Sequence, residues 1–181
     1  EPEPIKSKII EPSSLRIHLL SLIVTSPTIT EDRINKFFSQ TLGGMQVEDE
    51  TIELNLENAK HFLIDEKFIV KSRNGFIATK FGQMVSRLYI DPMTARDFRN
   101  AIEYDISNGR KHTFGFLHLI TDCGEFFPKF GLRIKDEERL DIVLENNIQT
   151  KIKHIDVQDC TRSLLAMELW INEGTEIDLS D

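Results

Sequence analysis

Cysteine is scarce in this 181-residue sequence: there are two, Cys123 and Cys160, far apart and with no second Cys or His at ligand spacing. That spacing excludes a zinc site built from a close pair, and two isolated thiols fit a reducing cytosol as small buried residues. No apolar run approaches the roughly twenty residues that a membrane-spanning helix needs. The opening Glu1-Pro2-Glu3-Pro4 is acidic and proline-rich, the reverse of a secretory signal. A phosphate-binding loop is also missing. Gly43-Gly44-Met45-Gln46 lacks the Lys and hydroxyl residue that such a loop requires, and no other glycine cluster occurs. The chain by itself is therefore not expected to hydrolyse a nucleotide by that route.

Positive charge is in deficit. The net charge is -8, with 22 basic against 30 acidic residues. Phosphate binding depends on Lys and Arg displacing counterions, so any nucleic-acid contact must come from a local basic patch or from parts outside this chain. With 40% hydrophobic and 29% charged residues, the composition is that of one ordinary globular domain or two small ones.

What is present is a succession of helical patterns with one interruption. Pro2, Pro4 and Pro12 make residues 1–12 an extended linker. Ser13 or Ser14 is expected to cap a helix running to about Thr25, with Leu15, Leu19, Leu22 and Ile23 as its stripe. Thr30 caps a second helix with Ile34, Phe37 and Phe38 inward, ended by Gly43-Gly44. A third spans about Glu48 to Lys67, with Ile52, Leu56, Ala59 and Leu63 on one face. The period then changes: Phe68–Lys71 and Phe76–Thr79 read as strands joined through Ser72-Arg73-Asn74-Gly75, with Asn-Gly as the tight turn. A helix with Phe81, Met84, Val85 and Leu88 buried follows.

Three helices and a β-hairpin in this order predict a winged helix over residues 13–90. Ile90-Asp91-Pro92 marks a boundary, and residues 91–181 read as part of a helical bundle. Its helices are expected from Thr94 (Ala95, Phe98, Ile102 and Ile106 inward, Asp97 completing a near capping box), over Thr113–Thr121 and Lys135–Glu145, and over Val157–Asn172 with Cys160, Leu164, Met167 and Ile171 aligned. The fold class is thus mostly α. Trp170, among Leu165, Leu169 and Ile171, is expected as a core anchor rather than a base-stacking platform.

No catalytic constellation stands out. His18, His61, His112, His118 and His154 have no ligand partners in sequence, and His18 and His118 fall on apolar helices as core or boundary histidines. The third helix of a winged helix often reads the major groove. Here Glu48, Asp49, Glu50, Glu53, Glu57, Asp65 and Glu66 lie along it or at its ends, against Lys60 and Lys67. Two lines of phosphates would repel it, so a packing role against another protein domain is expected. Basic residues gather elsewhere: Lys71, Arg73 and Lys80 around the hairpin, Arg87, Arg96 and Arg99 about the boundary, and Arg110 and Lys111 beside His112. These are the candidate contacts to a nucleic-acid backbone, against a plain reading as solvated surface.

Several stretches resemble one family. Glu1–Lys8, Glu11-Pro12 and Leu15-Arg16-Ile17-His18 are similar to the segment after the second motor domain of archaeal Hjm-type superfamily-two DNA helicases, relatives of the polymerase-theta helicase. Ala78–Gly82 and, most specifically, Val85-Ser86-Arg87-Leu88-Tyr89-Ile90-Asp91-Pro92 resemble that family's passage from winged helix to helical domain. Phe116–Ile120 and Leu169–Glu173 add to it. The resemblance implies an internal fragment of a protein whose RecA-like motor domains bind ATP and Mg and translocate 3′ to 5′. In it the winged helix joins the motor to a helical ratchet domain around single-stranded DNA, in repair of stalled or forked replication intermediates. A start at Glu1 rather than Met is expected of a chain either processed or cut from something longer.

It further implies a cytoplasmic, monomeric parent, with the motor domains of the same polypeptide as partners and single-stranded or forked DNA bound weakly by this part alone. The family's strand-contacting helix, with an Arg and a Trp, is expected beyond Asp181, and Trp170 does not match it. The alternatives are a dimeric winged-helix transcription regulator and a protein-interaction adaptor without a DNA role.

Overall fold

The structure is a computed structural model and describes residues 5–109, 113–130, 134–146 and 162–172. It is mostly α: the only sheet among the described residues is a two-stranded antiparallel one. The chain divides into two compact units, Glu1–Arg96 and Asp97–Asp181.

In the N-terminal unit, helix α1 (Pro12–Val24) starts at the proline itself, after an Glu11 N-cap whose side chain makes no capping bond. The expected Ser13 or Ser14 cap is therefore corrected. Proline has no N–H to satisfy and its φ already suits the first helical position, so the helix begins earlier than a hydroxyl cap would place it. Leu15, Leu19, Leu20 and Ile23 are buried. Helix α2 (Glu31–Ser39) is capped by Thr30, which accepts from the Arg33 amide, and buries Ile34 and Phe38. Phe37 lies outward, 45% exposed and edge-to-face with Phe38.

Gly43-Gly44 does not end α2. Both glycines are buried within a short helix, α3 (Leu42–Met45), capped by Thr41. A Cβ at Gly44 would collide with the Phe38 carbonyl, so the pair serves close packing rather than termination. The incoming chain is held against α3 by Gln46: its carboxamide accepts from the Ser7 amide (2.9 Å) and donates to the Ile5 carbonyl (2.7 Å).

Helix α4 (Asp49–Asp65) buries Ile52, Leu56, Ala59 and Leu63 as the periodicity predicts. It stops on a left-handed residue, Lys67 (φ 60°), with Lys67 N–H donating to Ile64 O and Phe68 N–H to Leu63 O. That double bond pattern is a helix C-terminal motif usually built on glycine, and it turns the chain into the hairpin. Strands β1 (Ile69–Ser72) and β2 (Gly75–Ala78) pair Ile69 with Ala78 and Ser72 with Gly75. The two-residue connection is thus Arg73-Asn74. Of the two expected turn residues only Gly75 takes positive φ (136°), because it lies against the Ile29 backbone, where a Cβ would strike the Ile29 carbonyl. Ile29 extends the ladder by exchanging both backbone bonds with Phe76.

Helix α5 (Lys80–Leu88) is capped by Thr79, whose hydroxyl accepts from Gly82 N–H and donates to the Lys67 carbonyl. Its inner face is centred on Gly82 and Val85, with Phe81 partly buried; Met84 and Leu88, expected inside, are exposed. Gly82 abuts the Phe68 carbonyl, and this close approach fixes which side of the helix turns inward. The resulting core runs from Leu15 through Phe38, Leu56, Leu63, Phe68 and Val85 to Ala95.

Helix α6 (Pro92–Asn108) begins before the expected Thr94: the Asp91 carboxylate accepts from Met93 N–H at 3.0 Å. Beyond Arg96 its buried positions are Ala101 and Asp105, whereas Ile102 and Ile106 are exposed. One residue rotates a helix by about 100°, enough to exchange the two faces. In the C-terminal unit, α7 (Thr113–Asp122), α8 (Ile134–Asn146) and α9 (Arg162–Ile171) share a smaller core of Phe114, Leu117, Leu140, Val143, Leu144, Leu164 and Leu165. His118 is buried in it, as expected. Trp170 is not an anchor: it is 77% exposed, one step past the buried Leu169, and Ile171 is exposed too. His112, His154, Cys160 and the expected helix start at Val157 lie outside the described residues. No described helix is long and apolar enough to cross a membrane.

Candidate functional site

The informative surface is the one around α4. Leu56 and Lys60 are four residues apart, which puts Lys60 on the helix's inner stripe with Leu56 and Leu63. Lys60 is accordingly 3% exposed, and its ammonium is bonded to Glu31 of α2 and to Glu57. Burial alone would lower its pKa; the bonds to the two carboxylates outweigh that and raise it above the ordinary lysine value. Glu31 moves the opposite way, its carboxyl lowered chiefly by the hydrogen bond from Lys60.

This internal pairing removes the only cation within α4 from the solvent face. Asp49, Glu50, Glu53, Glu57 and Asp65 are exposed along the helix, joined by His61, whose Nε2 lies 3.7 Å from Glu57. Lys67, counted with this helix in the sequence, sits beyond it in the left-handed turn. The helix outer face is thus more uniformly acidic than its composition suggests.

The hairpin side is different. Lys71 on β1, Arg73 in the turn, Lys80 at the start of α5 and Arg87 in its last turn are all exposed. The Lys71 charge reaches Glu31, whose pKa it helps to lower. Arg96 does not belong with this group. It is half-buried, with its guanidinium 5.6 Å from the Phe62 ring centre. Arg99 is half-buried in the C-terminal unit and engaged in interactions of its own. Arg110 and Lys111 lie outside the described residues. Of the eight candidate backbone contacts, Lys71, Arg73, Lys80 and Arg87 are thus the exposed ones among the described residues, on the hairpin and α5.

A second constellation escaped the sequence reading. Arg16 of α1 forms a two-pronged bond with Asp91, Nε to Oδ1 at 2.9 Å and Nη2 to Oδ2 at 2.6 Å, both side chains largely buried. The Arg16 guanidinium also lies 5.5 Å from the Phe62 ring, and Phe62, Phe68 and Phe81 form a stack. His18 meets Tyr89 edge-on at 6.4 Å. Leu15-Arg16-Ile17-His18 and Tyr89-Ile90-Asp91, two separated stretches that carry the family resemblance, are therefore in direct contact. The available signal was Arg16 as the one Lys, Arg, Asp or Glu of α1, set between the apolar Leu15 and Ile17.

No family model matches the chain. Among curated proteins it is 30% identical, over 99% of its length, to the ATP-dependent DNA helicase Hel308 of Methanocaldococcus jannaschii, of which it covers 14%. To the ATP-dependent DNA helicase Hel308 of Methanocella arvoryzae it is 27% identical over 97% of its length, covering 25% of that protein. The Thermoplasma volcanium protein of the same name is 28% identical over 97% of the chain, with 24% covered. The chain thus spans about a quarter or less of these relatives, and the resemblance carried by its motifs is borne out.

Proposed function

We infer that this chain is a region of an archaeal Hel308-type ATP-dependent DNA helicase, and that it serves as the link between the motor and the part that guides the strand. Residues 1–12 are then the linker from the motor, residues 13–90 a winged helix, and residues 91–181 the first part of the helical ratchet domain. ATP and Mg are handled by motor domains outside this chain, in a monomeric cytoplasmic protein acting 3′ to 5′ on single-stranded or forked DNA during replication-fork repair.

The observation that carries this reading is the outer face of α4. The charged groups it presents to solvent are all acidic apart from His61, so the helix that would enter a DNA groove in a duplex-reading winged helix has the sign of the phosphates. A transcription regulator would need the opposite. The exposed Lys71, Arg73, Lys80 and Arg87 suit contact with a DNA backbone without base readout. Such a module works mechanically: it docks on neighbouring parts of the same polypeptide and holds them in fixed geometry.

The test is direct. The 181-residue chain is expected to show no ATPase activity and to bind a fluorescent single-stranded oligonucleotide weakly, with affinity falling steeply as salt rises. Nanomolar, salt-resistant binding, or footprinting of one duplex operator by a stable dimer, would overturn the reading.

A further inference from the structure

An Asp-Pro step between two helices reads as a joint, since proline drives the preceding residue out of helical geometry. At Asp91-Pro92 the surrounding residues oppose that role. The Asp91 carboxylate holds Arg16 through both oxygens while Oδ1 accepts from Met93 N–H, and the Asp91 carbonyl accepts from Ala95 N–H at 3.0 Å. One residue therefore starts α6 and ties it to α1. Downstream, Pro92 and Ala95 are buried, Ala95 within the N-terminal core, and Arg96 lies over the same Phe62 ring that Arg16 approaches. Upstream, Tyr89 turns the chain with φ 55° and rests against His18.

We propose that Arg16 is a positioning residue, a latch that makes residues 92–96 of α6 a rigid part of the N-terminal unit. The connection between α5 and α6 is then a fixed part of that unit and not a joint within it. Guanidinium chemistry is required. Its planar fork matches both carboxylate oxygens and its face suits an aromatic ring, whereas an ammonium is a single point donor. The inference goes beyond the functional reading above and stands whether or not that reading holds.

Amide hydrogen exchange on the full 181-residue chain tests it, with Ala95 and Arg96 as reporters and Leu56, Leu63 and Ile69 as core references. In the unmodified chain the reporters are expected to exchange within about tenfold of the references, as members of one cooperative unit do. Arg16→Lys and Arg16→Gln should each speed reporter exchange at least about tenfold while the references change less than about threefold, because only local opening is made easier. Asp91→Asn, which keeps a capping side chain but loses the charge, should do the same. Unchanged reporters in both Arg16 variants would overturn the proposal, as would acceleration spread evenly over reporters and references. Loss seen with Asp91→Ala but not with Asp91→Asn would also overturn it, by showing that the carboxylate acts as a cap alone.

Discussion

Helix α4 and the β1–β2 hairpin follow one another in a single unit, yet they meet solvent with opposite charge. The helix shows Asp49, Glu50, Glu53, Glu57 and Asp65; the hairpin and the helix after it show Lys71, Arg73, Lys80 and Arg87. The separation is sharpened from inside, because Lys60 is withdrawn into the α2–α4 contact and neutralised there by Glu31 and Glu57. What this teaches is that counting charges along a helix misjudges its surface. A lysine on the apolar stripe belongs to the fold's own bookkeeping, and the face left to solvent is more acidic than the segment.

The strongest way to break the comparison is to remove the inward lysine. Lys60→Met leaves Glu31 and Glu57 facing each other without their cation. It should cost about 1–3 kcal/mol, below the full figure for a buried pair because both carboxylates are half exposed to water. Urea unfolding measures it; a loss under about 0.5 kcal/mol would mean the ion cluster does little for the fold.

Next in size is the hairpin side. Neutralising Lys71, Arg73 and Lys80 together to Ala should weaken single-stranded DNA binding roughly tenfold at low salt and flatten the log–log salt dependence by about 2, at roughly 0.7 per lost phosphate contact. An unchanged slope in a salt titration would remove these residues from the interface. Smaller again is the response of α4: Glu50→Gln with Glu53→Gln should alter stability by no more than about 0.5 kcal/mol and DNA affinity less than about threefold. A large gain in duplex affinity from that pair would restore α4 as a groove-reading helix.

The smallest effect is a pH dependence. Glu31 has its pKa lowered in the folded chain, so its share of stability is present above the ordinary carboxylate value and is lost as pH falls through the folded one. Lys60 is raised, so its share is present below the ordinary lysine value and lost as pH rises through the folded one. The stability gap between the unmodified chain and Lys60→Met should therefore narrow toward acid. A gap that stays constant down to pH 3 would show that the cluster does not titrate as described.

Much of the N-terminal unit was legible. Thr30 and Thr79 act as caps, the stripe Ile52, Leu56, Ala59 and Leu63 is buried, and the hairpin forms where the period changes. Misreadings arose where a close backbone approach decided orientation. Gly44, Gly75 and Gly82 each abut a carbonyl from elsewhere in the chain, and no local pattern announces such a neighbour. In the C-terminal unit the apolar residues are too evenly spread around α6 and α9 to choose a face, and Ile106 and Trp170, expected inside, are exposed. At the candidate site, charge sign along the chain was readable. The pairing of Lys60 with Glu31, the stacking of Arg96 on Phe62 and the Arg16–Asp91 bond were not, because each joins residues distant in sequence.

The clasp made by Gln46 has a consequence of its own. Its carboxamide engages two main-chain groups, at Ile5 and Ser7, and no side chain. Gln46 thereby reads the spacing of two backbone groups and not the side chains that carry them. Inserting or deleting a residue between Ile5 and Ser7 would misalign donor and acceptor, whereas exchanging the Ile5 side chain would leave both bonds in place.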